Sequence, residues 1–365
     1  MAHRILHVIA DAEIGGAQVY LIELARQQRS RGIHVTIASG GRGPLETRYR
    51  DVADRYIAVS SLRRAAGPRD ALAAAIIGRL GRDADVVHAH ASKALAATVL
   101  SRPIHRRPIV WSAHGYDSAH ADFDVRVRGV FDRAKAFLAR QADAVTVASN
   151  SVREKALAAG IGPGRVRVVY TGVSQEQLLR VPPPTDGPFT VGAAGRLVAL
   201  KGFDRLVEAM ALVTERRPEA RAVLYGSGPE EQRLRARIAE LRLEERFTIH
   251  TLTDDLPLAF RAMHVVVVPS IVDSFPLVPL EAMVAARPVI VSRVGGLPDA
   301  LIDGEHGFVV PAGDPVALAA AIERLAADRP RAREMGEAAR GYAAARFRWD
   351  RMADEYDAIY GAVAQ

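Results

Sequence analysis

Residues His264-Val-Val-Val-Val-Pro269-Ser270-Ile-Val-Asp273-Ser274-Phe275-Pro276-Leu277-Val278-Pro279-Leu-Glu281-Ala-Met283 decide the fold. The β-branched run Val265 to Val268 reads as a strand and stops at Pro269, after which an irregular loop follows. Pro279 suits the first turn of a helix, where a missing N–H breaks no intrahelical bond. The helix is expected to end near Arg287, because Pro288 disfavours helix at the residue before it. Val289 to Val291 is the next strand. The result is a strand–loop–helix–strand unit that carries two carboxylates, Asp273 and Glu281. The mouth of such a loop, outside the strand's C-terminal end, is where open α/β sheets bind ligands.

Outward from this unit the same alternation runs through the chain. Strands are expected at Arg4–Ala10, His34–Ala38, Tyr56–Val59, Asp85–His88, Pro108–Ser112, Ala144–Ala148 and Val166–Val169. A second set is expected at Phe189–Ala193, Ala222–Tyr225, Phe247–His250, Val265–Val268, Val289–Val291 and Phe308–Val310. Amphipathic helices such as Ala17–Arg31 and Val152–Ala159 lie between them. Strands alternating with helices imply βαβ units and parallel sheets. The fold class is therefore α/β, with two doubly wound Rossmann-like domains. Residues 181–188 hold four prolines and read as a semi-rigid linker. The expected division is 1–180, linker 181–188, 189–345, and a final helix 346–365 that crosses back to the first domain.

At 365 residues the chain suits two domains of ordinary size, and 49% apolar with 25% charged residues is a globular composition. With no cysteine there are no disulfides and no thiolate sites. No apolar run approaches the ~20 residues of a membrane span. Ile5 to Ala10 is too short for a signal sequence and Asp11 follows it, so a cytoplasmic location is expected. The formal charge is +7, split into 27 Lys and Arg against 16 Asp and Glu in residues 1–180, and 22 against 26 in residues 181–365. The basic first half reads either as an arginine-rich composition or as a face for the anionic inner-membrane surface or an anionic acceptor. Arg63, Arg64, Arg102, Arg106, Arg107, Arg126 and Arg128 are its candidates. Sparse aromatics and no nucleic-acid-reading motif argue against nucleic acid.

Chemistry-bearing residues fall in the strand-to-helix loops. In the first, Gly15 and Gly16 permit close backbone approach ahead of a helix N-terminus that suits an anion, or they make a plain turn. Arg196 and Lys201 share the loop after the first strand of the second half. They suit a diphosphate, Arg through its fork and Lys as a point charge, unless both are merely solvated. Gly226 and Gly228 follow the next strand, as a nucleotide-approach loop or a simple turn. Asp273 and Glu281 flank the central helix with the amides around Ser274, Phe275, Leu277 and Val278. Each carboxylate has an ordinary alternative, as a cap or as a first-turn charge favoured by the helix dipole. His88 and His90 could ligate metal, but no third ligand sits at metal-binding spacing in the sequence, so no metal is expected. His114 follows the Trp111-bearing strand, in His114-Gly115-Tyr116-Asp117, and faces a ligand or makes an ordinary loop hydrogen bond. His105 and His120 belong to the same run of histidines from 88 to 120.

Together these residues resemble the retaining glycosyltransferases of the GT-B fold, in family 4 (glycosyltransferase group 1). Ser270 to Glu281, Pro288-Val-Ile-Val and Gly295-Gly296-Leu-Pro298-Asp299 carry the resemblance most specifically. The family has Glu-x7-Glu where this chain has Asp273 and Glu281. At Tyr170-Thr-Gly172-Val-Ser174 many members have Asn-Gly-Val-Asp. The resemblance implies that Gly15 and Gly16 approach donor phosphate and acceptor, and that His114 lies beside the donor sugar. It implies that Arg196 and Lys201 neutralise the diphosphate leaving group. Asp273, with the amides after it, would hold sugar hydroxyls, and Glu281 would hold the ribose. The Tyr225–Gly228 loop and the strand end at His250–Leu252 would bound the base.

The implied reaction moves a hexosyl or N-acetylhexosaminyl group from a UDP- or GDP-linked sugar to a glycan or lipid-linked hydroxyl, as in lipopolysaccharide, capsule or exopolysaccharide assembly. No cofactor beyond the donor substrate is expected. Two other readings remain: a sugar-nucleotide epimerase or hydrolase of the same fold, and a catalytically silent sugar-nucleotide-binding protein.

Overall fold

The computed structural model describes residues 3–13, 15–41, 43–62, 69–114, 125–184, 186–251 and 256–365, with only the backbone for 125–131, 256 and 258. Two compact units divide it. The first is Met1–Gly172 with Trp349–Gln365, and the second is Val173–Arg348.

The first unit holds a seven-stranded sheet of β1 (Arg4–Ile9), β2 (His34–Ser39), β3 (Arg55–Ala58), β4 (Val86–His90), β5 (Ile109–Ser112), β6 (Ala144–Val147) and β7 (Val166–Val168). Their order is β3-β2-β1-β4-β5-β6-β7, and every pairing is parallel. The second unit holds a six-stranded sheet of β8 (Thr190–Ala194), β9 (Arg221–Tyr225), β10 (Phe247–His250), β11 (Val265–Val268), β12 (Val289–Ser292) and β13 (Gly307–Val310). Here the order is β10-β9-β8-β11-β12-β13, again wholly parallel. All thirteen expected strands form, with bounds shifted by at most two residues. Strand order reverses direction beside β1 and β4 in one sheet and beside β8 and β11 in the other. Those are the points where loops diverge and leave room for a ligand.

The two faces of the first sheet differ. Leu6, Val8, Val87, Ala89, Trp111, Val145 and Val147 point to one face and join an aliphatic cluster. On the other, Ile5, Val86, Val110 and Ala144 pack under Met352, Ala353, Tyr356, Ile359 and Tyr360 of the helix Trp349–Val363. Two residues further along each strand that second face turns polar. His7 pairs in register with His88, His90 with Ser112, and Ser112 with Thr146, and all five are buried. Period-two alternation places them together.

The Pro-rich stretch lies inside the second unit, while the division falls at Gly172/Val173. Its carbonyls are fastened from below: Arg340 Nη2 donates to the Val181 oxygen at 3.2 Å and Arg287 Nη2 to that of Pro182 at 2.6 Å. Arg287 is fully buried and also donates to the oxygens of Phe260 (3.0 Å) and Ala285 (2.8 Å). Burial lowers its pKa to about 10, and carbonyl acceptors keep it charged at neutral pH. The central helix, Val278–Val284, ends three residues before the expected Arg287. Ala286 adopts a left-handed φ of 57°, which turns the chain and sends the Arg287 side chain inward. The break expected near Phe347 is present, between helices Arg329–Arg346 and Trp349–Val363.

Candidate functional site

In the second unit three loops lock together around Asp273. Leu200, in the loop after β8, accepts through its carbonyl from the amides of Ile271 (2.8 Å) and Val272 (3.3 Å). Gly202 has φ 63°, and a Cβ there would lie 2.2 Å from the Pro269 oxygen. From the other side Gly295, with φ 51°, approaches so closely that its Cβ would lie 1.5 Å from the Asp273 oxygen. The Gly296 amide then donates to the Ser274 carbonyl at 2.8 Å. Only glycine accepts both the left-handed backbone and the contact at these two positions.

Held this way, Asp273 Oδ2 receives Lys201 Nζ at 2.6 Å and Ser270 Oγ at 3.0 Å. Both partners of the ion pair are largely shielded, with side chains 23% and 12% exposed for Lys201 and Asp273. Two groups expected to touch different parts of a donor therefore touch each other. Arg196, in the same loop as Lys201, is exposed and makes no ion pair among the described residues. Glu281 is part-buried, and its carboxylate meets no hydrogen-bond partner among the described residues. Desolvation pushes its pKa up to about 7. The amides of Ser274, Leu277 and Val278 likewise donate to nothing described, whereas the Phe275 ring lies tilted against that of Phe347, 5.9 Å between centroids.

The loop after β9 tells a different story. A Cβ on Gly226 would lie 2.3 Å from the Gly195 oxygen, and the Leu197 amide donates to the Ser227 carbonyl at 2.8 Å. Approach of the Arg196 loop is thus sufficient to require this glycine. Tyr225 stacks on exposed His250 at 5.2 Å. Leu252 lies outside the described residues.

In the first unit Asp11 organises the first loop, Oδ1 accepting from the Glu13 amide (3.1 Å) and Gln18 Nε2 (2.9 Å). Gly15 is extended with φ −168°, and a Cβ there would lie 2.5 Å from Gln18 Oε1, whereas one at Gly16 would meet nothing within 4 Å among the described residues. The same helix, Gly16–Ser30, brings Tyr20 edge-on to His114 at 4.9 Å. His114 sits at the end of β5 with a left-handed φ of 43°, a conformation costing on the order of 1 kcal/mol or more outside glycine.

Behind His114 lies a buried network that a linear reading of the sequence did not assemble. His90 Nδ1 is 3.1 Å from His114 Nε2, His90 Nε2 is 3.0 Å from His7 Nδ1, and His7 Nε2 is 2.8 Å from Gln28 Oε1. Gln28 Nε2 donates to the Tyr360 hydroxyl at 3.2 Å, and that hydroxyl is 2.7 Å from His88 Nδ1. His88 Nε2 reaches Ser112 Oγ at 2.7 Å, and Ser112, Thr146 and Tyr20 surround the Tyr356 hydroxyl at 2.7 to 2.9 Å. The expectation that His88 and His90 lack a third histidine is corrected: pairing of β1 with β4 supplies His7, and the three could reach one ion. Each of their six ring nitrogens, however, already has a hydrogen-bond partner. A metal would have to break those bonds, so the cluster is built as a hydrogen-bonded network. Burial lowers His7 and His114 to pKa about 4 and holds His88 and His90 well below the usual histidine value. All four are neutral at pH 7.

Of the basic-face candidates, Arg102 is held by both oxygens of Asp143 at 2.9 Å, and Arg107 donates to the Arg82 carbonyl at 2.8 Å. Arg106 ends its helix in a left-handed conformation with φ 55°. His105 is buried beside it, 3.4 Å from the Thr98 carbonyl. Arg63, Arg64, Gly115, Tyr116, Asp117 and His120, and the side chains of Arg126 and Arg128, lie outside the described residues.

Two Rossmann-like α/β units of this topology are the architecture of GT-B glycosyltransferases. The structure superposes on that of Anabaena HepE in complex with UDP with a TM-score of 0.84, at 22% identity over 98% of this chain and 100% of that one. It superposes on the sucrose-phosphate synthase of Thermosynechococcus elongatus with 0.80, at 24% identity over 99% and 98%. The model for glycosyl transferases group 1 matches residues 174–342, and that for glycosyltransferase family 4 matches residues 14–177. A D-inositol 3-phosphate glycosyltransferase of Acidothermus cellulolyticus is 31% identical over 97% of this chain and 87% of its own length. Its namesake from Corynebacterium diphtheriae is 28% identical over 97% and 91%. The chain belongs to the group 1, family 4 glycosyltransferases, and it is a glycosyltransferase.

Proposed function

We propose that the protein transfers a sugar from a nucleotide diphosphate-sugar, UDP- or GDP-linked, to an acceptor hydroxyl with retention at the anomeric carbon. The observation that carries this reading is the Lys201–Asp273 pair, 2.6 Å apart, with Arg196 in the same loop as Lys201 and Glu281 eight residues after Asp273, both without a polar side-chain partner among the described residues. A diphosphate entering here draws Lys201 toward its oxygens and meets Arg196. Asp273, relieved of part of its partner, accepts from sugar hydroxyls. Glu281 accepts from the ribose diol, and that ligation favours its ionised form. As the anomeric bond breaks, negative charge grows on the diphosphate, and two preorganised cations stabilise it there. The leaving diphosphate then helps to take the acceptor proton on the same face. By the family resemblance, Gly15 and Gly16 are proposed to serve donor phosphate and acceptor, and His114 the donor sugar.

For the acceptor we first propose a glycan or lipid-linked hydroxyl of a cell-surface polysaccharide, with the basic residues of the first unit contacting an anionic membrane surface. No helix among the described residues is long and apolar enough to cross a membrane. A second reading is a small phosphorylated cyclitol, favoured by the shared name of the curated relatives. Thermal stabilisation by a panel of UDP- and GDP-sugars identifies the donor. Turnover of that donor is then compared on D-inositol 3-phosphate and on lipid-linked sugar pools, with the product's anomeric configuration read by NMR. An inverted product would reject the mechanism, and exclusive turnover on one acceptor class would reject the other.

A further inference from the structure

We infer that Gln28, through His7 and His90, sets the tautomer of His114, so that His114 presents a bare Nδ1 acceptor to a substrate hydroxyl. Three facts lead there. The imidazoles of His7 and His90 are fully buried and joined nitrogen to nitrogen, so each neutral ring must donate at one nitrogen and accept at the other. A chain of such rings has one direction throughout, and the group at its closed end decides which. That group is Gln28, whose Oε1 faces His7 Nε2 at 2.8 Å while Nε2 faces the Tyr360 hydroxyl at 3.2 Å.

The amide orientation follows from these contacts. A separation of 3.2 Å suits an N–H donated to a phenol oxygen better than a phenol O–H donated to an amide oxygen, for which about 2.7 Å is usual. With the carbonyl toward His7, His7 Nε2–H donates to Gln28 and His7 Nδ1 accepts. His90 Nε2–H then donates to His7 and His90 Nδ1 accepts. His114 Nε2–H donates to His90. The remaining atom, His114 Nδ1, carries a lone pair and no proton. Flipping one amide, with its O and N exchanged, would reverse all three rings and turn His114 Nδ1 into a donor. Gln28, His7 and His90 are therefore positioning residues that decide whether His114 offers a lone pair or a proton at the half-buried end of the chain.

The functional side of the inference rests on the proposed role of His114 beside the donor sugar, whereas its structural side does not. Ring-15N NMR of histidine-labelled protein at pH 7 tests the latter directly, with His114 assigned from the spectrum of His114→Asn. The expected wild-type result is a single His114 tautomer, protonated at Nε2. In Gln28→Met, of similar volume but without the amide, the closed end is released and a second tautomer appears. His7→Leu provides the same readout should Gln28→Met fold poorly. A wild-type His114 protonated at Nδ1, or a His114 spectrum unchanged in both variants, overturns the inference. Turnover is measured in parallel. A fall in kcat/KM of up to about tenfold, one hydrogen bond's worth, is expected on tautomer mixing. A changed tautomer with unchanged kcat/KM would leave the relay standing and remove His114 from the sugar site.

Discussion

Lys201 Nζ and Asp273 Oδ2 lie 2.6 Å apart, across 72 residues of sequence. Two groups that a linear reading assigns to opposite ends of a sugar–phosphate bond thus pair with each other. Lys201→Ala removes the proposed leaving-group cation and strands a shielded carboxylate. Turnover should fall by about 10²- to 10³-fold, the usual cost of one preorganised charge. Steady-state rates with saturating donor check this, and wild-type turnover would reject the leaving-group role. Asp273→Glu keeps the charge within reach of the flexible lysine, and measurable turnover should survive.

Desolvation moves the titration of Glu281 to neutral pH. With its pKa raised to about 7, it is half protonated there in the free protein. In its proposed role the ionised form accepts from ribose hydroxyls, so donor affinity should rise from pH 6 to 8 and binding should release protons below pH 7. Calorimetry in buffers of different ionisation heat counts those protons. Glu281→Gln should flatten the profile, and a pH-dependence that persists in that variant would assign it elsewhere.

Buried His7, His88 and His90, with half-buried His114, predict acid sensitivity. Their folded pKa values are depressed, so the unfolded chain binds protons first, from about pH 6.5 downward. Stability is fully present above that point and is lost as pH falls toward 4, where His7 and His114 titrate. Glu281 has the opposite sign in part of this window, so the urea midpoint is best followed in Glu281→Gln. A midpoint constant between pH 6.5 and 4.5 would contradict the assigned burial of these rings.

Gly295→Ala asks whether the loop lock around Asp273 matters. An added Cβ would lie 1.5 Å from the Asp273 oxygen at a backbone with φ 51°. The loop must move, at a cost of at least about 1–3 kcal/mol for the backbone conformation alone. Both thermal stability and turnover should drop. Full activity in this variant would show that Asp273 tolerates displacement.

The alternation of apolar runs and amphipathic helices was legible because parallel strands buried on both faces are near-continuous aliphatic runs, as in Val265 to Val268. Loop residues at strand ends could also be named, since glycines, prolines and charges punctuate those positions. Contacts across long separations were out of reach. Nothing local in Arg4–Ile9 announces that His7 will lie against His88 and His90, because sheet order sets that neighbourhood. A signal did exist. His7, His88, His90, Ser112, His114 and Thr146 occupy alternate positions near the ends of four apolar runs, and Tyr356 and Tyr360 are spaced one helical turn apart. Read together, those polar insertions mark a shared face. The helix end at Val284 was missed for a different reason. An alanine seldom takes the left-handed conformation of Ala286, and Pro288 was the stronger visible stop.

The two-tone face of the first sheet has a consequence for how its strands find their places. Parallel strands have no hairpin to index them, and β11, four valines in a row, would slide by one residue with little change in side-chain chemistry. In the first unit a one-residue slip of β4 would thrust His88 and His90 into the apolar cluster of Leu6, Val8 and Trp111 and away from their present partners. Stranded buried imidazoles cost more than a methyl out of place. The polar network thus acts as a registration pin for β1, β4, β5 and β6, and the histidine that ends it inherits its position from that alignment.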